Sequence, residues 1–243
     1  MVNRYYEQVL KVLEQIEKTQ RENLERAAEL IFGSLSQGGV LHLFGTGHSS
    51  MIVEEAFHRA GGLAPVNGML ETFLSPHYPP AKAGKLERLE GLAAAVLDYY
   101  EPKAGEVILL ISNSGINAVP VEMALESKRR GLHIIAITSL SHSKTVAPRH
   151  PSGKRLFELA EVVIDNCGVP GDASLSYENF SGKTGPTSTL AGIFIINTLL
   201  HRIVEKFLEN GLTPPIYLSA NVPGGDEYNQ TLEAKYKARI KLL

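Results

Sequence analysis

The sequence is short of cysteine. Cys167 is the only one among 243 residues, so no internal disulfide can form, and a reducing compartment, the cytoplasm, is the expected setting. An excess of one charge is missing too: 24 Lys and Arg stand against 26 Asp and Glu, for a formal net charge of -2. Displacing counterions from a nucleic-acid backbone takes a massed basic surface, so that class of partner is excluded. The one tight basic cluster, Lys128-Arg129-Arg130, stands just before Gly131. Cations there complement the negative end of a helix, and the glycine suits the turn that stops it. Long apolar runs are absent as well. The best one, Leu190 to Leu200, is interrupted by Gly192, Asn197 and Thr198 and is too short to span a bilayer, so it reads as a buried helix. The opening Met1-Val-Asn-Arg-Tyr-Tyr-Glu7 lacks the apolar stretch of a signal peptide. No membrane partner is expected.

Several catalytic signatures are also missing. The eight histidines are dispersed, none at the paired helical spacing of a zinc hydrolase, and no metal is expected. There is no Gly-x-Ser-x-Gly elbow. Gly182-Lys183-Thr184 would need a glycine five positions earlier to form a phosphate-binding loop of the ATPase type; Tyr177 stands there, and ATP hydrolysis is excluded.

What is present is an alternation of strands and helices. The first thirty or so residues form an amphipathic pattern, with Tyr6, Val9, Leu13 and Ile16, then Leu24, Ala27, Ala28 and Ile31, at helical spacing. This predicts one long helix. Buried strands are predicted at Val40–Phe44, Glu106–Ile111, His133–Thr138 and Glu161–Asp165, and a short or edge strand at Leu63–Asn67, where Pro65 intrudes. Helices are predicted over 49–60, 86–99, 118–130 and, with Pro186 in its first turn, from there through Leu208. Residues 68 to 86 read as a long loop with a little local order. A short strand-like run, Ile216–Ser219, and a basic final helix complete the chain.

Such alternation predicts a doubly wound α/β fold with a mainly parallel sheet. One domain, 1–243, is expected: an N-terminal helix (1–33), the α/β core (34–210) and a C-terminal helical extension (211–243). Ligands of such folds bind where the strands' C-terminal ends meet. The polar clusters after Phe44, Ile111 and Ile137 all fall on that edge.

The cluster Gly45-Thr46-Gly47-His48-Ser49-Ser50 opens with Gly-x-Gly, but the third glycine of a dinucleotide fingerprint should fall at Ser50. Glycines there let the backbone approach an anion at a helix N-terminus, or they form a plain turn capped by serines. Ser112-Asn113-Ser114-Gly115-Ile116-Asn117 crowds short polar side chains into a turn that opens a helix. Hydroxyls, an amide and free N–H groups together solvate a phosphate without a lysine. Capping alone would need only one of them. Thr138 and Ser139, after the next strand, add hydroxyls that suit either a site or an ordinary surface loop.

With these loops in view, the chain resembles the sugar isomerase (SIS) family, and within it the phosphoheptose isomerase-like proteins. The resemblance runs from the N-terminal helix through His201, and is carried by Gly45–Ser50, Ile111–Asn117 and Ile134–Ser139. It implies a five-stranded parallel sheet of flavodoxin-like order, and a phosphorylated sugar held by Ser112, Asn113, Ser114 and Asn117 with Gly47, Ser49 and Ser50. Thr138 and Ser139 would make weaker substrate contacts. It implies no cofactor, and a homodimer or homotetramer with sites near subunit interfaces. The implied activity is aldose–ketose isomerisation by acid/base proton transfer, with a non-catalytic sugar-phosphate sensor as the alternative and another sugar-phosphate reaction, such as deamination or ether cleavage, as a third option. His201 matches the family's histidine. The family's glutamate has no clean match: Arg59 stands near its place and Glu55 one turn earlier, so Glu55 is the candidate base, though it also suits an i,i+4 pair with Arg59. His77, in the long loop, is a third candidate.

Overall fold

The computed structural model describes residues 3–243. The first two residues of the expected N-terminal helix, Met1 and Val2, lie outside them. In chain order the elements are α1 (Arg4–Thr19), α2 (Arg21–Ser36), β1 (Leu41–Gly45), α3 (Ser50–Ala56), β2 (Val66–Met69), α4 (Pro80–Leu86), α5 (Leu92–Tyr100) and β3 (Val107–Ile111). Then follow α6 (Ala118–Arg129), β4 (His133–Thr138), α7 (Leu140–Ser143), β5 (Val162–Asp165), β6 (Leu175–Tyr177), β7 (Phe180–Thr184), α8 (Ser188–Glu209) and α9 (Gly225–Tyr236).

Five strands form one parallel sheet in the order β2-β1-β3-β4-β5. The strands read as unbroken apolar runs because both faces are covered. Leu41, Leu43, Val107, Leu109, Ile111, Ile135 and Ile137 point to a layer built by α1, α2, α3 and α8. Their neighbours Phe44, Ile108, Leu110, Ile134 and Ala136 point the other way, onto α5 and α6. The period of two along each strand thus sorts one apolar run into two cores. β2 lies at the edge, directly after Pro65, as a proline that cannot donate to a ladder requires.

Several expectations are corrected or made specific. The single N-terminal helix is two helices, broken at Gln20 (φ -109°, ψ 4°). Gln20 is buried there, and its side-chain oxygen accepts the Asp165 N–H of β5 at 3.0 Å. The apolar stripe continues across the break, so periodicity alone does not reveal it. The helix predicted to reach residue 60 ends at Ala56, because Phe57 turns extended and His58 takes a positive φ of 43°. His58 then stacks on Tyr217, at 4.7 Å between ring centroids, and meets Glu233 at 2.9 Å. The run 216–219 forms only an isolated antiparallel bridge, Leu63 to Ile216. The predicted loop 68–86 contains α4, and a hairpin, β6–β7, stands in a stretch with no strand prediction.

At the N-terminal edge of the sheet a closed polar network holds the extension down. His42 and Glu106, both buried, meet at 2.9 Å. Glu106 also accepts the Val40 and Lys103 N–H groups (3.1 and 2.8 Å) and the guanidinium of Arg239, beyond α9, at 2.7 Å. Burial pushes the Glu106 carboxyl up, but the His42 hydrogen bond, the Lys103 N–H and Arg239 outweigh it and hold it down at about 2.

Candidate functional site

The strand order reverses between β1 and β3, where the last residues of the two strands, Gly45 and Ile111, are direct partners. The two loops therefore leave the sheet side by side, at the crevice where ligands of doubly wound folds sit. Gly45 is required there: a Cβ on it would lie 2.6 Å from the Ser49 carbonyl oxygen. Gly47 takes a φ of +55°, which side chains disfavour. The loop then winds tightly, with Ser50 Oγ donating to the Gly47 carbonyl at 2.9 Å, so this buried hydroxyl serves the turn. Ser49 faces outward into a small cleft shared with Asn113, Asn166, Ser188 and Thr189.

The second loop is held from below. The Asn113 carbonyl accepts the Ser139 N–H at 3.0 Å and the Thr138 hydroxyl at 3.2 Å, and its side-chain oxygen accepts Asn166 Nδ2 at 2.8 Å. Thr138 and Ser139 are buried, and Ser139 donates to the Gly168 carbonyl at 2.7 Å. They buttress the loop. Ser112 is buried too, its oxygen accepting the Gly115 N–H at 3.2 Å.

The upper side of the same loop is left open. Asn117 occupies the N-cap position of α6, yet no side chain caps that helix. Ser114 makes no side-chain hydrogen bond, and the N–H groups of Ser114, Asn117 and Ala118 have no protein acceptor among the described residues. The capping alternative is thereby removed for Ser114. Free N–H groups at the head of a twelve-residue helix, beside a free hydroxyl, have the chemistry of an anion cradle. α8 offers a contrast at the same edge. Its first N–H groups, Thr187 and Ser188, donate to Asp172 at 3.0 Å each, so a carboxylate of the chain itself already fills that helix start. Asp172, not the N-cap Thr187 side chain, caps this helix.

Among the described residues, none of the catalytic candidates makes a hydrogen bond or ion pair to the Ser112–Asn117 turn. Glu55, half-buried on α3, pairs with Arg59 and accepts Asn197 Nδ2 at 3.2 Å. His201 is exposed on α8 and sits 3.3 Å from Glu205. It is twelve residues beyond Thr189, roughly 18 Å along the helix. His201 and Asn197 line a separate cleft with Leu200 and Ile216. His77 is exposed, 3.8 Å from Glu54. Two groups that the sequence did not single out do reach the site. Glu87, half-buried just after α4, accepts the Thr46 hydroxyl of the first loop, and its carbonyl accepts the Val119 N–H of α6 at 3.1 Å. Arg149 donates to Asn117 Oδ1 at 2.6 Å. Neither carries a motif: Glu87 falls at the start of the helix predicted over 86–99, which begins only at Leu92, and Arg149 lies in a stretch with no predicted element. Burial and then the neighbouring Asp165 push the Cys167 thiol up, away from the reactive thiolate.

A family model described as an SIS domain matches residues 4–139, which spans both loops and the sheet's switch point. The chain belongs to the SIS domain family. This SIS protein is 44% identical over its whole length to a UPF0309 protein of Caldanaerobacter subterraneus subsp. tengcongensis. It is 39% identical to one of Geobacillus thermodenitrificans, with 100% of this chain and 98% of the relative covered. Among solved structures, a phosphoheptose isomerase from Francisella tularensis shares its fold, with a TM-score of 0.54, 14% identity, and coverage of 84% of this chain and 96% of that one. The Vibrio vulnificus NanR protein complexed with ManNAc-6P has a TM-score of 0.50 and 14% identity, covering 98% of this chain and 68% of that one. The SIS fold is therefore that of phosphosugar isomerase-like proteins. Among the described residues, no helix is long and apolar enough to cross a membrane.

Proposed function

We propose that this protein binds a phosphorylated sugar at the head of α6 and interconverts its aldose and ketose forms by proton transfer. The observation that carries the reading is the open Ser112–Asn117 turn at the switch point: a free hydroxyl and free N–H groups, braced from below and unclaimed from above. Membership of the SIS family supports it, as does a shared fold with a protein whose structure holds a sugar phosphate. Ser114, Asn117 and the free N–H groups of Ser114, Asn117 and Ala118 hold the phosphate. Asn113, Thr138 and Ser139 position them, and Gly47, Ser49 and Ser50 shape the opposite wall.

Isomerisation needs a base that carries a proton between adjacent carbons and a group that handles the hydroxyl proton. Glu87 is the base that this geometry favours. It is a half-buried carboxylate hydrogen-bonded to the first loop and backed on the second. Glu55 and His201 would act on a cradle only from a neighbouring subunit. A cytoplasmic homodimer or homotetramer is the assembly we propose. A second reading, binding without turnover, is favoured by one observation: Glu55 and His201 are both engaged with neighbours rather than with the cradle.

A thermal-shift screen of phosphorylated sugars, followed by product analysis for each hit, tests both. A ligand that binds the native state raises the melting temperature by mass action. Hits that yield isomers, with turnover lost in Glu87→Gln but binding kept, support the isomerase. Hits without products support the sensor, and turnover lost only in Glu55→Gln or His201→Ala moves the base to those residues.

A further inference from the structure

The cradle has one chemical deficit. Its hydroxyls, amide and N–H groups are neutral, whereas a phosphate monoester near neutral pH carries up to two negative charges. One cation reaches it. The segment 144–155, after α7, folds back over the head of α6 and is tied there twice through its backbone. The Arg149 N–H donates to the Ile116 carbonyl at 3.0 Å, and the Leu156 N–H donates to the Gly115 carbonyl at 2.8 Å. Arg155 stiffens the same strap, with Nε and Nη2 on the Val146 carbonyl at 3.1 and 2.9 Å.

Most of the arginines face a carboxylate, among them Arg59, Arg129, Arg155, Arg202 and Arg239, while Arg4 and Arg26 donate to backbone carbonyls. Arg149 spends a donor on an amide oxygen instead, Asn117 Oδ1, at 2.6 Å. Among the described residues no carboxylate lies within 4.0 Å of its guanidinium. This contact does two things. It fixes the Asn117 amide with its oxygen toward the strap, which leaves the NH2 edge as the free donor beside the unclaimed N–H groups. It also parks an uncompensated guanidinium, with donors to spare, at the rim of the cradle.

We propose that Arg149 is the charge-bearing phosphate ligand of this site and sets its preference for a phosphate dianion over the monoanion or an uncharged sugar. The inference rests on the reading that the Ser112–Asn117 turn is the phosphate site, and the test separates the two. A guanidinium–phosphate contact is charge-assisted and is weakened by salt, while a hydroxyl contact is much less so.

The experiment is calorimetric titration of inorganic phosphate into the wild type and into Arg149→Ala, Arg149→Lys, Ser114→Ala and Arg129→Ala. Each is run at low and high salt, and on either side of the pH at which phosphate takes its second charge. The expected result is at least about a tenfold loss of affinity in Arg149→Ala, the scale of a hydrogen bond to a charged group. The salt and pH dependence of binding should flatten in that variant. Arg149→Lys should recover part of both, Ser114→Ala should lose affinity with its salt dependence intact, and Arg129→Ala should match the wild type. Arg149 is exposed, and the Lys variant decides the matter if the Ala variant folds poorly. If Ser114→Ala weakens binding but the Arg149 variants keep wild-type affinity and salt dependence, the role of Arg149 is overturned and the cradle stands. If none of these variants changes binding, the cradle reading fails and Arg149 falls with it.

Discussion

The two edges of the same sheet have opposite electrostatics. At the N-terminal edge, His42, Glu106 and Arg239 satisfy one another, with the Val40 and Lys103 N–H groups completing the carboxylate's shell. At the C-terminal edge the loops are braced by hydrogen bonds on their inner side, while Ser114 and the N–H groups around it are left unpaired. Both edges are rich in polar residues, so polarity by itself says nothing about function. What distinguishes them is whether a donor is claimed. A closed network stabilises the fold, and an open one waits for a ligand.

The largest way to break this contrast is at the closed edge. Glu106→Ala leaves His42 and Arg239 without their carboxylate and two N–H groups without an acceptor. A loss of about 3 kcal/mol or more is expected in urea unfolding, with phosphate affinity unchanged. A pH titration sharpens the same point. The Glu106 carboxyl is held at about 2 in the folded protein, below its ordinary 4.5. Its contribution is therefore fully present above pH 4.5 and is lost as the pH falls from 4.5 toward 2, below which it levels off. Acid unfolding of Glu106→Gln should lack that component. Next in size is Gly45→Ala at the open edge. The added methyl would crowd the Ser49 carbonyl, and about 1–3 kcal/mol of destabilisation is expected, together with a disturbed first loop. Smallest in stability is Ser114→Ala. Unfolding should shift by under about 0.5 kcal/mol, while calorimetry with a sugar phosphate should show a loss of about tenfold.

The sheet was legible in the sequence because burial on both faces leaves unbroken apolar strands, each closing on a polar turn. Val107–Ile111 and His133–Thr138 are the clearest cases. The Ser112–Asn117 turn was legible too, since it carries more short polar residues than one cap needs. The break at Gln20 was not, because a polar residue inside an apolar stripe reads as a solvent-facing position until its tertiary partner, the Asp165 N–H, is seen. Glu87 and Arg149 were invisible for a related reason. Each is an ordinary charged residue that gains meaning only when its segment folds onto Thr46 or Asn117. The positions of Glu55 and His201 came from resemblance, and the chain places both along helices that lead away from the cradle.

The most direct measurement is an amide-resolved NMR titration of the 15N-labelled protein with inorganic phosphate. The account predicts that the amide signals of Ser114, Asn117 and Ala118 move together along one saturating curve, while those of Gly39, Lys103 and Gly105 at the opposite edge stay still. Movement confined to the opposite edge, or none at the head of α6, would contradict it.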